Sequence, residues 1–221
     1  MKKWIEKLLE GGSDKIQKAT VNQVIKQKED FLAFDGELEL IIVSDNHGAK
    51  DGLFSVLKQH PNADYYFHCG DSNLDSSLEL MKSFVTVKGN TDYSENYKNN
   101  ERVGLTSGEH VWITHGHAYA VNNGTTRLIA EATEIPAKTP ITHIVLYGHT
   151  HIVDVEMKQG VLVINPGSIT QPRGGSFIRS YARLVITPKF YTVQIKNALD
   201  HTIVREFQFP REWHQSDQDP K

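Results

Sequence analysis

Five times along this chain a short apolar run stops at a small polar cluster of Gly, Asp, Asn or His. Ile41-Ile42-Val43 leads into Asp45-Asn46-His47, and Tyr65-Tyr66-Phe67 into Gly70-Asp71. Phe84 to Val87 leads into Gly89-Asn90, Val111 to Thr114 into His115-Gly116-His117, and Ile144-Val145-Leu146 into Gly148-His149-Thr150-His151. Runs of this length, rich in β-branched and aromatic residues, predict buried strands. A sheet brings the ends of its strands to one edge, so it would deliver these clusters together. Packing gives no reason for such repetition, whereas a two-metal hydrolytic site does.

Helices are expected at Leu53 to Gln59 and Leu74 to Lys82, between the first three strands. That βαβαβ alternation argues for a layered α/β domain. Glu101–Leu105 and Val111–Thr114 read as a hairpin about Ser107-Gly108, and Thr125 to Thr133 as a helix. From Val153 the pattern turns to β, at Val153–Met157, Val161–Ile164, Tyr181–Ile186, Tyr191–Ile195 and Val204–Phe209. The expectation is two sheets face to face with helices outside.

Residues 1–37 read as an N-terminal helical arm, 38–210 as one domain and 211–221 as a polar tail. In the arm, Trp4, Ile5, Leu8 and Leu9 recur at helical spacing, and Gly11-Gly12 interrupts them. Ile16, Val21, Val24, Ile25, Phe31 and Leu32 form a looser apolar stripe beyond. Such a stripe suits packing on the domain or contact within a homo-oligomer.

At 221 residues the chain is long enough for one domain with a real core. Its net charge of −3 and dispersed Lys and Arg offer no groove for extended nucleic acid. An anionic substrate would then take its countercharge from bound cations. One cysteine, Cys69, excludes an internal disulfide. No run approaches the roughly 18 apolar residues of a membrane span. Together with the lack of a convincing signal peptide, this makes the cytoplasm the expected location.

On extended backbone, residues two apart share a side. Asp45 and His47 can therefore reach one ion, as can His149 and His151. Asp71 has two oxygens and could bridge two ions; Asn90 offers a neutral oxygen, and His115 and His117 follow a strand. A carboxylate set with imidazoles suits Mn²⁺, Ni²⁺, Fe²⁺, Zn²⁺ or Co²⁺ better than Ca²⁺. The six other histidines, among them His68 and His143, are expected to be structural. No His-Glu-x-x-His helix, Gly-x-Ser-x-Gly elbow or dinucleotide loop competes with this reading.

In this order, Asp45-x-His47, Gly70-Asp71, Gly89-Asn90-x-Asp92, His115 and Gly148-His149-x-His151 resemble the motifs of the calcineurin-like metallophosphoesterases. The resemblance is nearest to the small bacterial YfcE-like phosphodiesterases and spans Leu38 to Phe209. Asn165-Pro166-Gly167-Ser168 and Pro172-Arg173-Gly174 also look like that subgroup's loop. It implies an α/β fold: a four-layer α/β/β/α sandwich of two mixed sheets flanked by helices, the metallo-dependent phosphatase fold. It implies that Asp45, His47 and His151 hold one ion, that Asn90, His115 and His149 hold the second, and that Asp71 bridges both. Where the wider superfamily has a histidine credited with transition-state stabilisation or leaving-group protonation, this chain has Thr91, as YfcE-like members also lack it. His117 is the candidate substitute, with orientation of its loop as the other reading; Asp92 is expected to orient a ligand or loop.

The expected function is hydrolysis of a small phosphodiester, with a hydroxide shared by two divalent ions attacking phosphorus in line. Mn²⁺ leads the candidate metals, with Mg²⁺ also admissible. Asp71, Asn90 and His117 are the expected catalytic residues, and Arg173 is a candidate for gripping a phosphate. A non-catalytic metal-binding scaffold of the same fold and a phosphomonoesterase are the alternatives.

Overall fold

The computed structural model describes residues 14–133, 141–175 and 177–213. The expected helix around Trp4 to Leu9 and the tail from His214 lie outside the described residues. In chain order the elements are α1 (Asp14–Ala33), β1 (Leu38–Val43), α2 (Asp51–Gln59), β2 (Tyr65–His68), α3 (Glu79–Lys82) and β3 (Val85–Thr86). Then come β4 (Asn100–Gly104), β5 (His110–Thr114), α4 (Thr126–Thr133) and β6 (Ile144–Leu146). The chain continues with β7 (Val153–Lys158), β8 (Val161–Pro166), β9 (Ser180–Ile186), β10 (Phe190–Asn197) and β11 (Ile203–Pro210).

The strands form two mixed sheets, ordered β11-β10-β9-β1-β2-β3 and β4-β5-β6-β8-β7. In the first, β1 and β2 are parallel and β9 runs antiparallel to β1. In the second, β5, β6 and β8 are parallel, with β4 and β7 antiparallel at the edges. Side-chain alternation explains the unbroken apolar runs, because both faces of the central strands are covered. Leu40 and Ile42 face the core between the sheets, with Phe67, Ile113, Leu146, Ile164 and Leu184. Ile41 and Val43 face outward onto Leu53, Val56, Leu80 and Met81 of the helices. The second sheet repeats the arrangement, Trp112, Val145 and Val163 covering Leu128 and Ile129 of α4. The result is the four-layer α/β/β/α sandwich.

One element departs from expectation. Of the predicted helix over Leu74 to Lys82, only Glu79–Lys82 is helical. Polar side chains capture the backbone before it: Asn73 N donates to Asp92 Oδ1 at 2.6 Å, Leu74 N to Ser72 Oγ at 3.2 Å and Ser77 N to Asp75 Oδ1 at 2.8 Å. Such local bonds compete with helical ones.

Helix α1 lies against the domain. Val24, Gln27 and Phe31 are buried, while Ile25 and Leu32 stay exposed. Gln27 clamps the backbone of Ile141, donating to its carbonyl at 2.8 Å and accepting from its amide at 3.1 Å. Arg211, assigned by sequence to the polar tail, is buried and stacks on Phe31 at 3.7 Å. It also donates to the fully buried Glu109 at 2.6 Å. No helix among the described residues is long and apolar enough to cross a membrane.

Candidate metal centre

The loops after β1, β2, β3, β5 and β6 meet at one end of the sandwich. Asp45 N donates to Gly70 O at 3.1 Å, His47 N to Asp71 O at 3.1 Å and Gly48 N to Ser72 O at 2.7 Å. These bonds zip the first two loops together beyond the ends of their strands. Gly148 N reaches His115 O at 3.1 Å and ties the last loop to the fourth.

Five of the seven sequence-assigned ligands hold positive φ: Asp45 56°, His47 45°, Asp71 52°, His149 70° and His151 59°. Non-glycine residues rarely adopt this conformation, and it costs about 1–3 kcal/mol apiece when the surroundings impose it. This corrects the reasoning from extended backbone. Asp45 and His47 share a side because the chain turns left-handed at both residues, and the pleat plays no part.

His149 and His151 separate. His151 Nε2 lies 3.2 Å from Asp45 Oδ1 and 3.3 Å from His47 Nε2. His149 Nδ1 instead lies 2.9 Å from Asn90 Oδ1, which is 3.2 Å from His115 Nε2. His115 Nε2 also faces Asp71 Oδ2 at 3.4 Å. Two groups of side chains could each hold an ion: Asp45, His47 and His151, and Asp45, Asp71 and His115. Asp45 thus belongs to both. Arg173 is exposed and outside these groups; its backbone amide donates to His151 O at 2.9 Å.

The hydrogen bonds behind the rings decide which nitrogens face inward. His115 Nδ1 contacts the Cys69 carbonyl at 2.7 Å and His151 Nδ1 the Gln171 carbonyl at 2.7 Å. A carbonyl only accepts, so each Nδ1 carries its hydrogen and a neutral ring keeps a lone pair on Nε2. His47 Nδ1 is engaged by Asn73 Oδ1 at 3.0 Å. Lone pairs therefore converge on carboxylate and amide oxygens, an arrangement that repels itself unless a cation lies between. Asp45 Oδ1 is buried and accepts no hydrogen bond, the condition of an oxygen suited to a metal. The donor set fits divalent ions, and the carbonyls behind it serve as the outer shell that orients ligating imidazoles.

Charge follows the same geometry. Burial acts to raise the Asp71 carboxyl, but His115 and the Thr91 amide outweigh it and hold it well below the usual carboxylate range. Burial disfavours the imidazolium forms of His115 and His151; Asp71 and Asp45 respectively reverse this and raise both. Burial and the neighbouring His115 lower His149 and His117.

His117 is exposed at the rim, its ring 5.4 Å from that of His115 and 6.2 Å from that of His149. Thr91 donates its backbone amide to Asp71 Oδ1 at 2.8 Å. Asp92 staples the loops, accepting from Ser72 Oγ, Asn73 N and Gly89 N. Several supporting groups escaped the sequence reading. Asn73 orients His47; Asn122 contacts His149 Nε2 at 3.3 Å; Ser168 and Thr170 hydroxyls donate to Asp45 O at 2.8 and 2.9 Å. His68, expected to be structural, is fully buried and meets Asn46 Oδ1 at 2.8 Å, inside the first ligand loop. Asn73 had a signal, following Gly-Asp by only two residues. A carbonyl partner has none, since every residue carries one.

Two stacked mixed sheets with carboxylates and imidazoles at the strand ends define the class of metal-dependent phosphoesterases built as α/β/β/α sandwiches. The chain belongs to the calcineurin-like phosphoesterase superfamily, whose domain model matches residues 38–189. It is 33% identical over 159 residues to the probable metallophosphoesterase YsnB of Bacillus subtilis, covering 71% of this chain and 89% of that one. Among solved structures, a predicted phosphoesterase of Streptococcus pneumoniae superposes with a TM-score of 0.73 at 29% identity, over 79% of this chain and 98% of that one. The phosphoesterase YfcE of E. coli shares the fold, with a TM-score of 0.56 at 20% identity over 77% and 98% of the two chains.

Proposed function

We propose that the protein is a dinuclear metal-dependent phosphodiesterase acting on small diesters. The observation that carries this is the convergence of histidine lone pairs on Asp45, Asp71 and Asn90 in two adjoining groups. Asp45, His47 and His151 would hold one ion; Asn90, His115 and His149 the second; Asp71 would lie between, with Asp45 beside it. Mn²⁺ is the favoured occupant. Bound divalent ions would supply a nucleophile from water at neutral pH and offset the phosphoryl charge.

The protein's own part is to orient and to exclude. Carbonyls of Cys69 and Gln171 fix the ring nitrogens, and His115 and Thr91 hold the buried Asp71 carboxylate in its charged form. Thr91 carries a hydroxyl in place of an imidazole and gives its backbone amide to Asp71, so the position after Asn90 supplies no titratable proton donor. Leaving groups that depart unprotonated are therefore favoured, which points to activated aryl diesters. His117 at the rim is the side chain placed to assist poorer ones. The lone buried cysteine is consistent with a cytoplasmic site of action.

The test is a side-by-side assay of bis(4-nitrophenyl) phosphate and 4-nitrophenyl phosphate, with Mn²⁺ and with excess chelator. Faster Mn²⁺-dependent release from the diester is expected. Equal release in chelator sinks the metal mechanism, and preference for the monoester makes it a phosphomonoesterase.

A further inference from the structure

A groove beside the metal centre is not used by anything described so far. Ile152 and Val153, the two residues after His151, form one wall. Ile178 and Val204 line it further; Ser180 and Ile195, both buried, also line it, and Arg173, Arg205 and Gly174-Gly175 complete the lining. It thus lies where β7, an edge of one sheet, meets β9, β10 and β11 of the other. Its volume is about 250 Å³. Sites that enclose a whole ligand run to roughly 300–1,000 Å³, so this one is sized for part of a molecule.

The lining is bipartite. Five aliphatic side chains would cover an apolar body, and two guanidiniums would grip an anion through paired donors. Among the described residues neither Arg173 nor Arg205 has an ion-pair partner. Ile152 is 47% exposed, an aliphatic face left open directly after a candidate ligand. Arg173 is tied to the centre by its backbone amide, which donates to His151 O at 2.9 Å.

We propose that this groove is a second subsite, taking the ester arm of a phosphodiester that carries an apolar body and a terminal anionic group, phosphate or carboxylate. Its link to turnover rests on the phosphodiesterase reading, while its capacity to bind does not. The substrate class is thereby narrowed to diesters bearing a second negative charge beyond an apolar spacer.

Two measurements separate the claims. The first is calorimetric titration of metal-free protein with hexane-1,6-diyl bisphosphate. Arg205→Gln and Ile152→Ser should each weaken binding, the former by about tenfold for a lost charge-assisted contact. Equal affinity in wild type and both variants overturns the subsite. The second uses 4-nitrophenyl diesters of Mn²⁺-loaded enzyme, with methyl, hexyl, 5-carboxypentyl or 6-phosphohexyl as the other arm. KM should fall about tenfold from hexyl to whichever anionic arm fits, and Arg205→Gln should erase that fall. The carboxylate and phosphate arms identify which anion is taken. If no diester turns over, the phosphodiesterase reading fails and the bisphosphate titration alone judges the groove.

Discussion

Replacing Gly89 by alanine tests the centre without touching a ligand. A Cβ at Gly89 would sit 2.8 Å from Asp71 Cγ, and closer still to Asp71 N and Oδ1. Ordinary contact begins at 3.4 Å, so the Asp71 carboxyl carbon must retreat by at least 3.4 − 2.8 = 0.6 Å. The carboxylate cannot swing aside alone, because its own backbone nitrogen meets the same Cβ and its Oδ1 accepts from Thr91 N. Metal–ligand distances tolerate about 0.2 Å, a third of that displacement. Overpacking of this kind costs about 1–3 kcal/mol. In a chain of this size that lowers Tm by roughly 2–12 °C. The predicted signature is selective. Gly89→Ala should remain folded but carry one Mn²⁺ per chain after dialysis, where wild type carries two, and lose diesterase activity by about 100-fold or more. The assays are elemental analysis, thermal melting in chelator and bis(4-nitrophenyl) phosphate turnover. A folded Gly89→Ala protein with two ions and wild-type turnover would refute the placement of Asp71 at the second ion.

Burial pushes the fully buried His68 down to about 4 from the ordinary imidazole value of 6.5. The unfolded chain therefore binds a proton that the folded one refuses between those pH values, so stability is complete above about pH 6.5 and falls as pH drops towards 4. The loss reaches about 3 kcal/mol, and denaturant midpoints of metal-free wild type against His68→Gln should show the slope flattened in the variant. Arg211→Met strands the buried Glu109 carboxylate, which also accepts from Tyr191 at 3.0 Å, and should destabilise by about 3–5 kcal/mol in urea melts. His117→Ala should lower turnover of diesters with alkyl leaving groups by about 100-fold while changing 4-nitrophenyl release only about twofold; uniform losses would make it a loop-positioning residue. Asp71→Asn should cost more activity than Asn90→Ala, read as kcat/KM at saturating Mn²⁺.

Local chemistry alone determined much of this protein. Central strands covered on both faces must read as unbroken apolar runs, and β1, β2, β5, β6 and β8 were legible for that reason. The residues that gather at the centre were legible too, because only a few side-chain types can hold a cation and they recur where strands stop. What the tertiary structure decided rests on partners distant in sequence. Strand β9 pairs with β1 across more than a hundred residues, and no local pattern specifies that neighbour. Asp92 captures the backbone of Asn73 and undoes a helix that the sequence from Leu74 otherwise favours. The left-handed turns at Asp45, His47, Asp71, His149 and His151 are imposed by bonds between loops, against each residue's own preference. The carbonyls of Cys69 and Gln171 aim two of the histidines, yet a carbonyl belongs to every residue and leaves no trace in the amino-acid code. Residue type set which atoms could bind a metal; the folded backbone set where their lone pairs point.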